Sequence, residues 1–230
     1  MSGKSIPHEA PVARAYGGVG AEERRAQRRQ RFIEAGIEVF GTLGLRQSTI
    51  RDLCSAARLT DRYFYESFRR VEDVFEATYC ELTTQLVTRL SAAMHAVPLK
   101  IDALAEAGLR TFFQFIHDDP RRARILLIDS LGLYFSAPAT SAIRVDAYVD
   151  VLEGLYRALY PEAAELDLDV TFVAKSLIGM TTHSGAVWSQ NGFDKSVDEV
   201  VRYNLFVWQG LDRWILDQIE AHRQPSRLAR

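Results

Sequence analysis

Hydrogen-bonding side chains are concentrated in one short stretch of the sequence, from Thr60 to Ser67. Arginine donates paired hydrogen bonds to guanine, aspartate accepts from the cytosine amino group, and hydroxyl groups bind backbone phosphates. Phe64 and Phe68 are four residues apart, so a helix here would bury both rings on one face and leave the polar ends exposed. This pattern is typical of a recognition helix that lies in the major groove of double-stranded DNA.

A preceding helix, from about Thr49 to Ala57, is predicted to position the recognition helix. Its apolar residues recur with helical spacing, at Ile50, Leu53, Cys54 and Ala57. Thr49 is expected to cap its first turn, where Asp52 also favours the helix dipole. Thr60 is expected to cap the second helix, which completes a helix-turn-helix.

These elements resemble the DNA-binding region of the tetracycline-repressor (TetR) family of bacterial transcription regulators. The likeness spans roughly Arg24 to Leu82, and its motifs are Phe40-Gly41-Thr42-Leu43-Gly44, Ser48-Thr49-Ile50-Arg51-Asp52, Leu59-Thr60, Tyr65-Glu66-Ser67-Phe68 and Glu72-Asp73-Val74-Phe75. The resemblance implies an all-α fold, with a three-helix head on a larger helical body. It divides the chain into a flexible leader (1–20), a helix-turn-helix domain (21–71) and an effector-binding and dimerisation domain (72–230).

Two positions depart from the family pattern. Arg58 stands where the family commonly has a turn glycine, so we expect either a strained left-handed residue or a slightly different turn. Val71 replaces a lysine that contacts a DNA phosphate in many members. Arg69 and Arg70 are the candidates to supply a substitute charge.

The predicted DNA contacts lie on both helices and in the loop that follows them. Arg62 and Tyr63 are assigned to base edges and Asp61 to a cytosine. The hydroxyls of Thr49, Tyr65 and Ser67 are assigned to phosphates, with Arg51 or Arg70 adding charge. The predicted set is Thr49, Arg51, Thr60, Asp61, Arg62, Tyr63, Tyr65, Ser67 and Arg70. For Tyr63 and Tyr65, packing within the head is the alternative interpretation.

The formal net charge of −2 by itself disfavours binding to the anionic DNA backbone, but the charges are unevenly distributed along the chain. Twelve arginines lie between Arg14 and Arg70, whereas acidic residues dominate the later segment around 162–169. The arginines from Arg24 to Arg31 either contact phosphates or form a solvated helix face. The leader is either a disordered segment or a basic arm that reaches a groove.

Composition indicates a globular protein, with 47% hydrophobic and 25% charged residues. No apolar run reaches the roughly 20 residues of a membrane span, and the N-terminus lacks the apolar centre of a signal peptide, so we expect a cytoplasmic protein without membrane association. Cys54 and Cys80 lack metal-type spacing and fit a reducing compartment. Cys54 is interpreted as a core residue, with a redox sensor as the alternative.

The motifs of common enzyme classes are missing from the sequence. It has no phosphate-binding glycine loop, no Gly-x-Ser-x-Gly and no His-Glu-x-x-His. His117-Asp118-Asp119 could bind a metal ion, but the Pro120 that follows favours a helix end and a loop. We therefore expect no enzymatic activity, no metal and no cofactor.

The remaining sequence is helical in pattern. Helices are predicted from Glu72 to about Ala96, Ile101 to His117, Pro120 to about Phe135, Ala139 to about Tyr160, Asp169 to Ser189 and Ser196 to about Ile219. The last two are apolar on more than one face, which indicates a second packing partner or deep burial. The resemblance implies that they pair across a two-fold axis as the four-helix interface of a homodimer. Trp188, Val207 and Leu211 are the predicted interface residues.

The body is expected to enclose a mainly apolar cavity for a small-molecule effector. The candidate lining residues are Phe112, Phe115, His117, Tyr134, Phe135, Met180, His183 and Trp188. Each has plain core packing as its alternative. For His183, a contact across the dimer interface is as consistent with the sequence as a ligand contact.

Together these features predict a dimeric regulator that binds an inverted-repeat operator and is released by a small, largely apolar effector. Repression in particular is implied by the resemblance. The alternative is a helical ligand-binding dimer that acts without operator DNA or through a protein partner.

Overall fold

The computed structural model describes residues 19–130 and 146–223, which form helices joined by short turns, with no strand in either range. The all-α prediction is confirmed. Residues 1–18 of the predicted leader lie outside these ranges, and Val19 and Gly20 belong to the first helix. No helix within the described ranges combines the length and the apolar character that crossing a bilayer requires.

The helices follow one another along the chain in a simple order. They are α1 Val19–Leu43, α2 Ile50–Ala57, α3 Asp61–Ser67, α4 Val71–His95, α5 Ile101–Asp118, α6 Pro120–Ala123, α7 Asp146–Leu159, α8 Val170–Gln190 and α9 Val197–Arg223. Short 3-10 helices lie at Leu45–Gln47 and Pro161–Glu165, and a π-helical segment at Arg124–Asp129. We refer to α1–α3 as the head and to the helices from α4 onward as the body.

Aromatic residues form the centre of the head. Phe32 of α1 is fully buried, and its ring makes edge contacts with Phe64 at 5.5 Å and Phe68 at 6.2 Å between centroids. Such T-shaped pairs are a favourable arrangement for buried rings. The spacing of the two phenylalanines therefore orients α3 as the sequence predicted, with its polar face turned away from α1.

The long helix α4 connects the head to the body. Phe75 at its start is buried against Phe40 of α1, with 5.2 Å between ring centroids. The hydroxyl of Thr78 donates to the Val74 carbonyl at 2.9 Å, which satisfies a polar group buried between α1 and α4. α4 ends at His95, shortly before Pro98, as the sequence predicted.

After α5 the chain departs from regular α-helix. Pro120 occupies the first position of α6, and the Asp119 carboxylate caps it by accepting from the Arg121 amide at 3.2 Å. α6 runs directly into the π-helical segment Arg124–Asp129, which the sequence did not predict. Wider turns of this kind are rare and often occur at functional sites. The predicted continuation to Phe135 lies outside the described residues.

The last two helices complete the body, with α9 packed along α5 and α8 packed against the π-helical segment. Gly185 allows this close approach of α8. A Cβ atom at Gly185 would lie 3.0 Å from a methyl of Leu127 and 3.1 Å from a methyl of Ile116. A larger residue would push α8 away from the core at this point.

Candidate nucleic-acid interface and ligand cavity

The first helix of the helix-turn-helix begins with a reciprocal cap, as predicted. The Thr49 hydroxyl accepts from the Asp52 amide at 3.2 Å, and the Asp52 carboxylate accepts from the Thr49 amide at 2.9 Å. The same hydroxyl also donates to Asp52 at 2.6 Å. These hydrogen bonds lower the pKa of Asp52. The Thr49 hydroxyl must therefore turn away from Asp52 before it can donate to a phosphate.

The turn between α2 and α3 contains the strained residue that the sequence predicted. Arg58 has φ 52° and ψ 45°, a left-handed conformation that glycine adopts more easily. The Leu59 amide donates to the Cys54 carbonyl at 3.0 Å, which closes the turn after α2. The Arg31 guanidinium of α1 donates to the Ala57 carbonyl at 2.6 Å and fixes the same turn from outside.

Cys54 lies in the buried core beneath this turn. Burial, together with the nearby Asp61 carboxylate, raises the pKa of the Cys54 thiol to about 11. Because the thiolate is the reactive species, burial and the raised pKa both disfavour reaction of Cys54 at neutral pH. This favours the core interpretation of Cys54 over that of a redox sensor.

The outer face of α3 presents the polar groups that the sequence assigned to DNA. Asp61, Arg62 and Tyr65 are exposed, and the Arg62 side chain retains 85% of its accessible surface. Arg62 is paired with Glu66 on the same helix at 3.2 Å. An exposed pair of this kind contributes only about 0–1 kcal/mol, so it would yield readily to a base or phosphate.

Arginines of α1 brace α3 against the head, a role that the sequence interpretation missed. Arg28 pairs with the Glu66 carboxylate at 3.3 Å and lies over the Tyr63 ring at 4.6 Å from its centroid. Arg25 donates to the Glu66 carbonyl at 2.7 Å, and Arg29 lies over the Phe68 ring at 4.4 Å. These contacts hold α3 in place and occupy the Arg25, Arg28 and Arg29 side chains in packing within the head.

Two of the predicted DNA residues are less available than the sequence suggested, and a third does not form its predicted cap. Tyr63 is half-buried beneath Arg28, which agrees with the packing alternative. The Ser67 hydroxyl is buried and has no hydrogen-bond partner among the described residues, so a phosphate cannot reach it in this conformation. Thr60 precedes α3 and is exposed, but its side chain makes no capping hydrogen bond, contrary to our expectation.

The remaining predicted phosphate contacts lie at the edges of the same surface. Arg51 is exposed on α2. Arg70 precedes α4 and pairs with Asp73 at 3.1 Å, with most of its side chain still exposed. Arg69 is also exposed beside it, so positive charge is present around the position of Val71. Together with Arg62, these residues give the helix-turn-helix a cationic rim.

The body encloses a cavity of about 570 Å³ between α4, α5, the π-helical segment, α7, α8 and α9. Its walls are almost entirely aliphatic and aromatic side chains. Along α4 the lining extends from Tyr79 to Met94, which is about 22 Å at the helical rise of 1.5 Å per residue. An apolar space that extends this far along one helix suits an elongated ligand.

The predicted pocket residues divide into two groups. Phe112 and His183 line the cavity. Phe115 is buried in the core beneath Arg122, at 4.3 Å, and Trp188 is buried with His117 stacked on it at 5.5 Å between centroids. These three residues, like the half-buried Met180, lie away from the cavity lining, because their helix positions direct them to other faces. Tyr134 and Phe135 lie outside the described residues.

Polar groups occur at the two ends of the cavity and along α8, where Lys175, Thr181, Thr182 and His183 also belong to the lining. The proximal end, nearer the head, is lined by Tyr79, Ser130 and Tyr148, and burial raises the pKa of both phenols. The distal end is lined by Tyr160 and Asp212, whose side chains are joined by a hydrogen bond of 2.5 Å. Tyr148 and Tyr160 are 12 residues apart across α7, which separates the two ends by roughly 18 Å.

The π-helical segment contacts the cavity on one side and the head on the other. Leu126 and Leu127 line the cavity. The Arg124 guanidinium donates to the Thr42 carbonyl at 2.9 Å and the Leu43 carbonyl at 3.1 Å, which caps the C-terminus of α1. The Asp129 carboxylate accepts from the Leu45 amide at 3.0 Å. We call this set of contacts the clasp.

Large apolar residues are exposed along the outer faces of α8 and α9. They are Phe172, Val187, Tyr203, Phe206, Trp214 and Leu216. The predicted interface residue Trp188 is instead buried within its own subunit, where its indole donates to the Lys195 carbonyl at 3.0 Å. Leu211 lines the cavity, and Val207 is half-buried. The exposed apolar face is therefore made of neighbouring positions on the same helices.

Comparison with known sequences gives no assignment. No protein-family model matches this sequence, and no curated protein matches it.

Solved structures match the chain over most of its length. The fatty acid degradation regulator FadR from Bacillus halodurans is 15% identical, covering 79% of this chain and 94% of that chain with a TM-score of 0.68. The transcriptional regulator FadR from Bacillus subtilis, in complex with stearoyl-CoA, is 16% identical, covering 78% and 96% with a TM-score of 0.66. A TetR-family transcriptional regulator from Pectobacterium atrosepticum is 16% identical, covering 84% and 96% with a TM-score of 0.62. At these identities the likeness establishes the fold, and this chain has the all-helical fold of TetR-family transcriptional regulators.

Proposed function

We propose that this chain is a transcriptional regulator of the TetR type that binds operator DNA through α3. The observation that carries the proposal is the exposed polar face of α3, held against α1 by Arg25, Arg28 and Arg29. A recognition helix must reach base edges without moving relative to its support, and this bracing supplies that rigidity. The shared fold with known regulators supports the same assignment.

Arg62 is the residue assigned to a guanine, and Asp61 is assigned to a cytosine amino group. Thr49, Arg51, Tyr65 and Arg70 are assigned to phosphates at the edge of the surface. A dimer formed through α8 and α9 would present two such surfaces. Their spacing of about 34 to 36 Å, or a multiple of it, would match an inverted-repeat operator.

The cavity is assigned to an elongated, largely apolar effector. Its length along α4 and its aliphatic walls support this class of ligand. FadR from Bacillus subtilis, whose structure is in complex with stearoyl-CoA, is a protein of this fold that binds a ligand of this kind. By linkage, an effector that releases the operator must bind the DNA-free protein more tightly, and operator DNA must weaken effector binding by the same factor.

Selection of genomic fragments by the purified full chain tests the regulator assignment. With the recovered operator, Arg62→Ala should weaken binding by about 1–3 kcal/mol, because one base contact is lost. Arg157→Ala is the matched control, since Arg157 is an exposed arginine on α7 that, like Arg62, pairs with a glutamate four residues away. Unchanged operator affinity of a folded Arg62→Ala protein would remove Arg62 from base recognition, and failure to retain any fragment specifically would refute the assignment.

A further inference from the structure

The distal end of the cavity carries a negatively charged anchor in otherwise apolar surroundings. Tyr160 is only 6% exposed, and its hydroxyl donates to Oδ1 of Asp212. Ile215 and Leu211 flank Asp212 on α9 and line the same cavity. Placing a carboxylate on an apolar wall costs desolvation free energy unless its oxygens accept hydrogen bonds or a positive charge lies beside it.

The hydrogen bonds of Asp212 are only partly satisfied by the protein. Oδ1 accepts from Tyr160, whereas within the described residues Oδ2 receives no hydrogen bond and Asp212 forms no ion pair. A second carboxylate, Asp102, lies nearby and accepts a hydrogen bond from Gln209 at 3.1 Å. Burial raises the pKa of Tyr160, and Asp212 and, more weakly, Asp102 raise it further. The distal end therefore carries the Asp212 carboxylate on its lining and the exposed Asp102 beside it, and one oxygen of Asp212 is available to a ligand. The ammonium group of Lys175, which also lines the cavity, belongs to a residue that is exposed on α8.

We propose that the effector of this chain is an aliphatic molecule with a hydrogen-bond donor, above all a protonated amine, which binds Asp212 at the distal end of the cavity. The inference rests on the proposed function, since it names the chemistry of the proposed effector. An ammonium group compensates the partly buried Asp212 carboxylate and donates to Oδ2. The aliphatic chain then lies along α7 toward Tyr148. An anionic head group at the same end meets like charge from Asp212 and Asp102.

A set of three ligands with the same chain tests the proposal: decylamine, decan-1-ol and decanoate, titrated into the purified full chain at neutral pH by calorimetry. At this pH the amine is protonated and the acid is ionised. The expected order of affinity is amine, then alcohol, then carboxylate. Tightest binding of decanoate, or no binding of decylamine, overturns the proposal. Lys175, which is exposed on α8 and reaches the cavity lining, would be the partner of a bound carboxylate in that case.

Asp212→Asn keeps the shape of the side chain and removes its charge. It should lower the affinity for decylamine by about 10- to 100-fold and reduce the preference for amine over carboxylate. Tyr160→Phe should keep the amine preference, because the Asp212 carboxylate remains. Asp217→Asn, on the exposed face of the same helix, is the control and should change nothing. A purely structural role of the pair would lower stability but leave the order of the three ligands unaltered, which would also overturn the proposal.

The test is independent of DNA. If decanoate rather than decylamine binds and releases a selected operator, the donor proposal fails and the regulator assignment stands. If decylamine binds through Asp212 but the protein selects no DNA, the cavity chemistry stands and the regulator assignment fails.

Discussion

Replacement of Phe206 should dissociate the proposed dimer. Phe206 lies on the outer face of α9 with 62% of its surface exposed, beside other large apolar residues such as Tyr203 and Trp214. Contiguous exposed apolar surface of this kind marks an interaction site. In a two-fold interface each residue is present twice, so a single substitution removes two contacts at once.

The magnitude follows from the area that Phe206 leaves uncovered. A large aromatic side chain buries about 200 Å², so the exposed 62% corresponds to roughly 120 Å². At about 25 cal/mol per Å², covering it contributes about 3 kcal/mol per subunit, or about 6 kcal/mol per dimer. Alanine retains part of this area, so Phe206→Ala should cost about 4 kcal/mol per dimer and weaken the dimer by about 10³-fold.

Sedimentation velocity over a concentration series measures this change directly. Leu99→Ala is the matched control, because Leu99 is 59% exposed in the turn between α4 and α5, away from α8 and α9 along the chain. Circular dichroism should show that both variants remain helical. An unaltered dimer in both Phe206→Ala and Trp214→Ala would place the interface elsewhere and refute the argument from the exposed face.

Three further predictions concern the head. Arg58→Gly should raise the free energy of unfolding, measured by urea titration, by about 0.5–1 kcal/mol, because glycine adopts the left-handed φ of 52° without strain. A decrease in the free energy of unfolding would contradict the strain argument. Arg124→Met should destabilise the chain by about 1 kcal/mol and accelerate amide exchange at Leu45, because the partly exposed clasp loses its two carbonyl contacts; unchanged exchange would show that the clasp is not needed there. Asp52→Asn should lower thermal stability at neutral pH but not at strongly acidic pH. Because the pKa of Asp52 is lowered in the folded state, its ionisation stabilises the fold at pH values above the ordinary pKa of 3.8, and this contribution is lost as pH falls through the lowered pKa. An equal loss of stability at both pH values would exclude the ionised cap as the cause.

Local sequence signals predicted the head well. The Thr49 cap, the left-handed Arg58 and the buried Phe64 and Phe68 all depend on neighbours within a few residues in the chain, so the spacing alone was sufficient. The predicted Thr60 cap is absent. The bracing arginines could not be assigned in this way. Whether Arg28 faces solvent or Glu66 depends on how α1 crosses α3, and a helical wheel of α1 contains no information about that angle.

The residues that line the cavity were harder still to predict from the sequence. An apolar helix position is equally consistent with core and with pocket, and only the packing of several helices decides between them. Phe112 and Phe115 are three residues apart on α5, yet the first lines the cavity and the second contacts Arg122. Asp212 and Tyr160 are 52 residues apart and carry no shared motif, so the sequence interpretation missed the polar anchor.

The two glycines of the motif Phe40-Gly41-Thr42-Leu43-Gly44, which carried part of the resemblance, are required by the packing of α1 against the body. A Cβ atom at Gly41 would lie 2.3 Å from the Cβ of Arg121 and 2.9 Å from its Cα, so only glycine lets α1 approach α6 this closely. Gly44 has φ 82° and leaves room for the Arg124 guanidinium. Both glycines therefore serve the contact between head and body.

This contact gives an occupant of the cavity a short route to the head. The sequence singled out α4, which remains the covalent connection, but the π-helical segment provides a second route through packing. Leu127 lines the cavity, whereas Arg124 and Asp129 bind the end of α1 and the Leu45 amide. A ligand that displaces Leu127 must therefore either strain the clasp or move α1, and α1 holds α3 through Arg28 and Glu66.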